Sequence, residues 1–323
     1  MVNKRPHVRA LVIGAGFAGL GASIALQRQG IEHVVLERAE DVGGTWRDNH
    51  YPGCKCDVPS HLYSFSFALN PDWTSTYSSQ PEIWDYLRRT AERFGVLDRI
   101  RFGAEVREAC WDGNAQRWEV ETAGDRWTAD VVVVATGGLS VPSVPDLPGL
   151  DRFGGTVFHS ADWDDAHDLD GERVAVVGTG ASAVQIVPRI QPRVGRLQLF
   201  QRTPAWVLPH GDRPIPRWQR RLYRRLPLVQ RLVRAGVYWT RELLVLGLCK
   251  DPRWIEPVRR LATRHLERQV PDPDLRERLR PTFAPGCKRL LLSNDYYPAL
   301  TRPNVDVVTE PIVEVTERAI RTR

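Results

Sequence analysis

Lysine is scarce in this chain. Lys4, Lys55, Lys250 and Lys288 are the only lysines, and arginine supplies the remainder of 45 basic residues. The formal net charge of +6 is thus an arginine skew along the whole chain. Coding bias produces such a skew as readily as a nucleic-acid partner does, so charge makes no case for nucleic acid. Cysteine is sparse too. Cys54, Cys56, Cys110, Cys249 and Cys287 are odd in number and share no spacing, which argues against a disulfide scaffold and suits a reducing cytoplasmic compartment. Cys54 and Cys56 form CxC, not the CxxC of a dithiol redox site, and no second pair completes a metal site. No uninterrupted apolar run is long enough to span a membrane. Asn3-Lys4-Arg5 and the apolar residues 11–13 loosely imitate a signal peptide, but glycines break the run and no small-residue cleavage site follows. What remains has the composition of an ordinary globular protein, with a length that suits about two domains.

Residues 8–13 form a short branched apolar run, the pattern of a buried strand. Gly14-Ala15-Gly16-Phe17-Ala18-Gly19 follows, and residues 20–29 read as a helix. This is GxGxxG in its required setting. The first glycine permits the turn, the second lets backbone approach a pyrophosphate, and the third lets helix pack on strand. A second strand, His33–Leu36, leads to Glu37, 23 positions after Gly14, where a carboxylate suits an adenosine ribose. The pattern recurs: strand Arg173–Val177, then Gly178-Thr179-Gly180-Ala181-Ser182-Ala183 as GxGxxA, then a helix over 184–190. Strand 197–200 leads to Gln201-Arg202-Thr203, with Gln201 again 23 positions after the first glycine. Loss of the acid removes a repulsion, and Arg202 offers a cation to a ribose 2′-phosphate, so the second unit is expected to prefer NADPH. The alternative for Arg202 is a surface arginine in an arginine-rich chain. Residues 131–134 read as a further buried strand, and Pro142, Pro145, Pro148 and Gly149 mark a linker. An acid-bearing unit followed by a 2′-phosphate unit is the plan of a flavin–NADPH oxidoreductase, FAD in the first and the reductant in the second.

Three motifs then carry a resemblance. Phe153, Gly155, His159, Trp163 and Asp164 satisfy FxGxxxHxxxW followed by Pro or Asp; Gly43-Gly44-Thr45-Trp46 precedes Tyr51-Pro52-Gly53 and Asp57; Lys288-Arg289 precedes Asn294-Asp295-Tyr296-Tyr297. From Ala10 to about Val308 the chain resembles the Baeyer–Villiger monooxygenases, which are flavin-dependent. The resemblance implies an α/β fold of two doubly wound Rossmann-like units. It implies an FAD-binding domain whose first part is 1–141, a linker with the fingerprint at 142–170, an NADPH-binding domain at 171–208 and 284–323, and a helical insertion at 209–283. It implies hydride transfer from NADPH to FAD, capture of O₂ as a C4a-peroxide, attack on a ketone and migration to an ester or lactone. Arg289 would stabilise the peroxide anion and Asp57 would orient Arg289, both also meeting cofactor. Lys288 would join Arg202 and Thr203 at the 2′-phosphate. The Gly44-Thr45-Trp46 turn would flank the flavin, with further contacts at Val58, Tyr63 and Val106. The alternatives from the residues alone are a solvated basic pair for Lys288-Arg289, an anchor of an ordinary turn for Trp46, and a packing clamp for His159 with Trp163.

Residues 214–234 carry many arginines and no acid, with Leu222, Leu226, Val229, Leu232 and Val233 at roughly helical spacing and Pro227 as a break. Residues 243–248 are a short apolar run. With Trp218, Tyr223 and Trp239 the basic helix suits a weak association with a membrane surface; the plainer reading is a solvated face over a core. Family members continue with a further segment that completes the flavin domain, and nothing here resembles it. The expectation is an incomplete form that binds FAD poorly. Two rival functions remain: a flavin monooxygenase that oxidises nitrogen or sulfur, and an inactive dinucleotide-binding protein.

Overall fold

A computed structural model describes residues 6–139, 141–249 and 255–323, with backbone alone for 244–249. Asn3-Lys4-Arg5, Lys250, and the side chains of Cys249 and of the apolar run beyond Leu243 lie outside the described residues. The chain divides into two units. The first comprises 1–50, 65–68 and 80–143; the second comprises 51–64, 69–79 and 144–323. The sequence division ran unbroken to residue 141, whereas the contacts assign the two short segments to the second unit.

The first unit contains β1 (His7–Ile13), α1 (Phe17–Arg28), β2 (His33–Leu36), α2 (Thr45–Asp48), α3 (Gln80–Arg93), β3 (Ile100–Arg101), β4 (Val106–Asp112), β5 (Arg117–Thr122) and β6 (Arg126–Val134). Its sheet runs β3-β2-β1-β6-β5-β4. The four strands from β3 to β6 are parallel neighbours, with Ala10 opposite His33 and Val131. β6, β5 and β4 are antiparallel. Leu11, Val34, Leu36, Val120 and Ala129 form a core on this sheet, as branched apolar strands require. Residues 131–134 do form a strand, but the expected burial does not hold: Val131 and Val134 are 53% and 71% exposed. Only Val132 of the run packs on that core; side chains alternate across a strand, so Val131 and Val133 face away from it, and Val134 is the last residue of the strand.

The second unit contains β7 (Arg173–Val177), α4 (Ala181–Ile190), β8 (Arg196–Phe200), β9 (Val207–Leu208), α5 (Arg217–Arg225), α6 (Pro227–Cys249), α7 (Glu256–Gln269), α8 (Pro273–Arg278), β10 (Leu291–Leu292), α9 (Tyr296–Leu300), β11 (Val305–Val308), β12 (Ile312–Val315) and β13 (Ile320–Thr322). β11, β8 and β7 form a parallel sheet in that order. α4 buries Ala183, Val184, Ile186, Val187 and Ile190, and its core continues through Leu197, Leu199, Tyr297 and Leu300. Pro227 opens α6 instead of kinking a helix, since the first helical position needs no backbone N–H. Among the described residues no helix is long and apolar enough to cross a membrane.

Candidate active site

In the first unit the two glycine motifs meet backbone to backbone. The Gly43 N–H donates to the Ala15 carbonyl at 3.0 Å, and a methyl on Gly44, where φ is +52°, would lie 3.3 Å from Gly16 Cα. Glu37 sits at the end of β2, almost wholly buried. Its carboxylate accepts from the Ala15 N–H at 2.7 Å, the Ala39 N–H at 3.0 Å and Arg47 at 3.2 Å. The carboxylate is thus fixed against the glycine turn, as a ribose acceptor must be. Trp46 is buried, and its carbonyl accepts from the Gln80 side chain. Phe17 packs at a tilt against Phe65, with ring centroids 5.2 Å apart. Val106 opens β4, half-buried.

In the second unit the GxGxxA turn leads into α4. Thr179 Oγ1 donates to the Thr203 carbonyl at 2.7 Å, which joins the turn to the end of β8. Gln201, in the acid's place, is buried, and its Nε2 donates to the Arg278 carbonyl at 2.8 Å. Its role is packing, and the polar offer falls to its neighbour. Arg202 is exposed, and among the described residues no hydrogen bond or ion pair holds its guanidinium. Lys288 lies over the Phe283 ring, Nζ 5.1 Å from the centroid. The Phe283 carbonyl accepts from Trp206 Nε1 at 2.9 Å, tying the Lys288 segment to the one that carries Arg202.

Arg289 and Asp57, 232 positions apart, form a two-pronged pair: Nε to Oδ2 at 2.8 Å and Nη2 to Oδ1 at 2.6 Å. The hydrogen bond and charge of Asp57 raise the Arg289 pKa further above its usual value. The Arg289 side chain nevertheless stays 61% exposed, while that of Asp57 is 21% exposed. A cation fixed in direction yet open to approach is what stabilising an oxygen anion requires.

The loop carrying Asp57 is anchored on both sides. Lys55 pairs with Asp212, which also accepts from Ser75, from Thr76 Oγ1 at 3.1 Å and from the Tyr77 N–H at 3.1 Å. Burial alone would raise the Asp212 carboxyl, but Lys55 and Ser75 outweigh it and hold the pKa at about 2. Gln185 of α4 holds the Lys55 backbone. The Val58 N–H faces Cys56 Sγ at 3.4 Å, and Tyr63 stands half-buried at a turn closed on the Pro59 carbonyl. Burial pushes the Cys54 and Cys56 thiols up to about 11 and about 12, so neither is a thiolate at neutral pH.

The fingerprint forms one packed segment. A methyl on Gly155 would strike the Phe153 ring at 2.6 Å. His159 Nδ1 accepts from the Ala161 N–H at 3.0 Å, and Asp164 Oδ1 from the Ala166 N–H at 2.9 Å. Trp163 packs edge-on to Phe158 at 5.0 Å and against the unit's core. These contacts stitch a turn.

Sequence reading missed Arg47, Gln185 and Asp212. Asp212 had a signal, being the one acid between Arg202 and Glu242. Arg47 and Gln185 had none, because their partners are set by folding.

Residues 7–229 match the family model for flavin-binding monooxygenase-like proteins. A Baeyer–Villiger monooxygenase of Streptomyces coelicolor is 56% identical over 310 residues, covering 96% of this chain and 60% of the relative. Cyclohexanone monooxygenase from Rhodococcus sp. Phi1 bound to NADP⁺ superposes with a TM-score of 0.85 at 32% identity, covering 99% of this chain and 68% of the other. The protein named OTEMO in complex with FAD and NADP does so with a TM-score of 0.88 at 31% identity, over 99% and 68%. The chain therefore spans about 60% of the length of the curated relative it matches.

Proposed function

Since the chain belongs to the flavin-binding monooxygenase-like family, we propose that it serves an FAD- and NADPH-dependent Baeyer–Villiger oxygenation, in which a ketone and O₂ yield an ester or lactone. The observation that carries this reading is the Arg289–Asp57 pair, a permanent cation held by two hydrogen bonds yet open to approach. The first unit is the first part of the FAD domain. The second is the NADPH domain, with 142–170 as linker and 209–283 as helical insertion.

Both cofactor sites pass a test of fit. α1 and α4 begin at Gly16 and Gly180 with no side chain capping their N–H groups, which leaves those donors to a pyrophosphate. A methyl on Gly178 or Gly180 would meet nothing within 4 Å, so that turn has room for phosphate oxygens. Bound FAD would supply the activation of oxygen, and NADPH the hydride. Glu37 receives the ribose hydroxyls of the flavin nucleotide. Arg202, Thr203 and Lys288 receive the 2′-phosphate. Arg289 stabilises negative charge on oxygen, and Asp57 keeps the guanidinium aimed.

The test loads the chain with FAD, supplies NADPH and linear, cyclic and aromatic ketones, and assays ester by mass spectrometry. Arg289→Ala should lower ester formation by roughly 100-fold or more while leaving reduction of the flavin in place. Sulfoxide or N-oxide without ester would favour the rival chemistry. Ester at the parent rate in the variant would remove Arg289 from the reaction.

A further inference from the structure

Gln185 stands one helical turn past Ala181, and both ends of its side-chain amide are engaged by one loop. Oε1 accepts from the Tyr51 hydroxyl at 3.1 Å and from the Lys55 N–H at 3.2 Å, while Nε2 donates to the Lys55 carbonyl at 2.9 Å. An amide that pairs both backbone groups of one residue imitates a neighbouring strand and fixes the orientation of both adjoining peptide planes. The loop also lies flush on α4. At Gly53, where φ is +82°, a methyl would come within 2.9 Å of the Gln185 carbonyl.

Two residues beyond Lys55, Asp57 holds Arg289 through both carboxylate oxygens. A two-pronged pair is sensitive to angle, so rotation of the Lys55 peptide is passed to the guanidinium. At the other end, Gln185 belongs to α4, which begins at Ala181 inside the GxGxxA turn. The first turn of α4, Gln185, Lys55, Asp57 and Arg289 are thus contiguous within the second unit.

We propose that Gln185 is a positioning residue for the Asp57–Arg289 pair, and that through the first turn of α4 it ties the placement of Arg289 to the occupancy of the 178–183 turn by NADP(H). The inference rests on reading that turn as the NADP(H) site. A pyrophosphate on the first N–H groups of α4 fixes its first turn, and the helix passes that order to Gln185. The hydrogen bonds of Gln185 then carry it to the loop, which makes the ligand bias a single packed network instead of a distant group.

Hydrogen–deuterium exchange of the whole chain, with and without NADP⁺, tests this without catalysis. In the parent, NADP⁺ should slow exchange by about tenfold in 178–183 and also in 51–58, as an ordering ligand does. Gln185→Met keeps the side chain's length and removes its hydrogen bonds. In that variant the protection of 178–183 should persist, while that of 51–58 falls below about twofold. Tyr51→Phe, which takes one of the three hydrogen bonds from the Gln185 amide and leaves the Lys55 contacts, should lower the protection of 51–58 by a smaller factor and serves if the first variant folds poorly. Protection of 51–58 that survives both changes overturns the inference. So does a parent in which NADP⁺ protects the turn alone. If NADP⁺ protects neither segment, the assignment of the turn itself falls with it.

Discussion

The two glycine turns carry nearly the same letters and answer to different neighbours. In the first, a methyl on Gly14 would lie 2.7 Å from the Ala135 carbonyl oxygen, and one on Gly19 only 1.8 Å from the Gly14 carbonyl oxygen. Here the protein's own backbone demands glycine. In the second, Gly178 has φ +115° but open space around it, Gly180 has open space too, and the third position is Ala183, buried in the core. There the glycines leave room for something not of the chain. GxGxxG against GxGxxA is therefore a statement about how closely each helix approaches its own turn.

The largest expected effect breaks the first turn. Gly19→Ala puts a methyl inside the van der Waals shell of a backbone oxygen, so α1 must move off the sheet. We expect a loss of about 4 kcal/mol or more, above the roughly 1–3 kcal/mol usual for core overpacking, because the atom struck is backbone and cannot turn aside as a side chain does. Chemical denaturation followed by amide exchange in β1 would measure it, and a loss below about 1 kcal/mol would mean that the helix already has slack. In the second unit, Gly180→Ala should act on the ligand instead. Its φ of −76° suits any residue, so the melting temperature should hold. NADP⁺ affinity should fall by roughly 10- to 100-fold, about 1.4–2.7 kcal/mol, as the methyl takes the place of phosphate. Calorimetric titration decides this; an equal drop in stability would erase the contrast.

Both turns were legible in the sequence because each lies within a contiguous strand–turn–helix, and so was Glu37, placed by its offset alone. The Asp57–Arg289 pair was reached only by resemblance, since no local pattern links residues 232 positions apart. The β4–β5 hairpin went unread, and only residues 131–134 of β6 were seen, as the alternation is weak: in β4, Val106 and Ala109 are half-buried while Trp111 is exposed. The assignment of 51–64 and 69–79 to the second unit was also hidden. It is fixed by Gln185 and Asp212, polar side chains whose partners are backbone groups and residues far along the chain. Periodicity records which face of an element is apolar, and it carries no record of which polar group meets which.

A smaller effect separates the two units by ligand. Glu37 holds the acid position in one, whereas Gln201 is turned into the protein and Arg202 is left exposed in the other. Arg202→Ala should weaken NADPH binding by about 1–3 kcal/mol, the scale of one charge-assisted contact, and leave NADH nearly unchanged. Titrations with both nucleotides measure the difference. Equal losses would assign Arg202 to the surface.

The smallest effect is the converse of the first. Ala183→Gly gives the second turn the letters of the first. If the letters mattered in themselves, the change would be neutral or better, and if helix-to-turn distance matters, it should cost something in stability alone. Ala183 is 8% exposed and belongs to the buried face of α4. The substitution removes one methyl from the core, worth about 0.8 kcal/mol, and loosens a helical residue by up to about 1 kcal/mol. Its place in the first turn reduces the second term, because fewer backbone hydrogen bonds depend on it there. The expected sum is about 1 kcal/mol, a quarter or less of the loss at Gly19, with NADP⁺ affinity within about twofold of the parent. A thermal melt and one titration suffice. Stabilisation by glycine would show that α4 is held off its turn by the alanine methyl, and that both units obey the same close-packing rule after all.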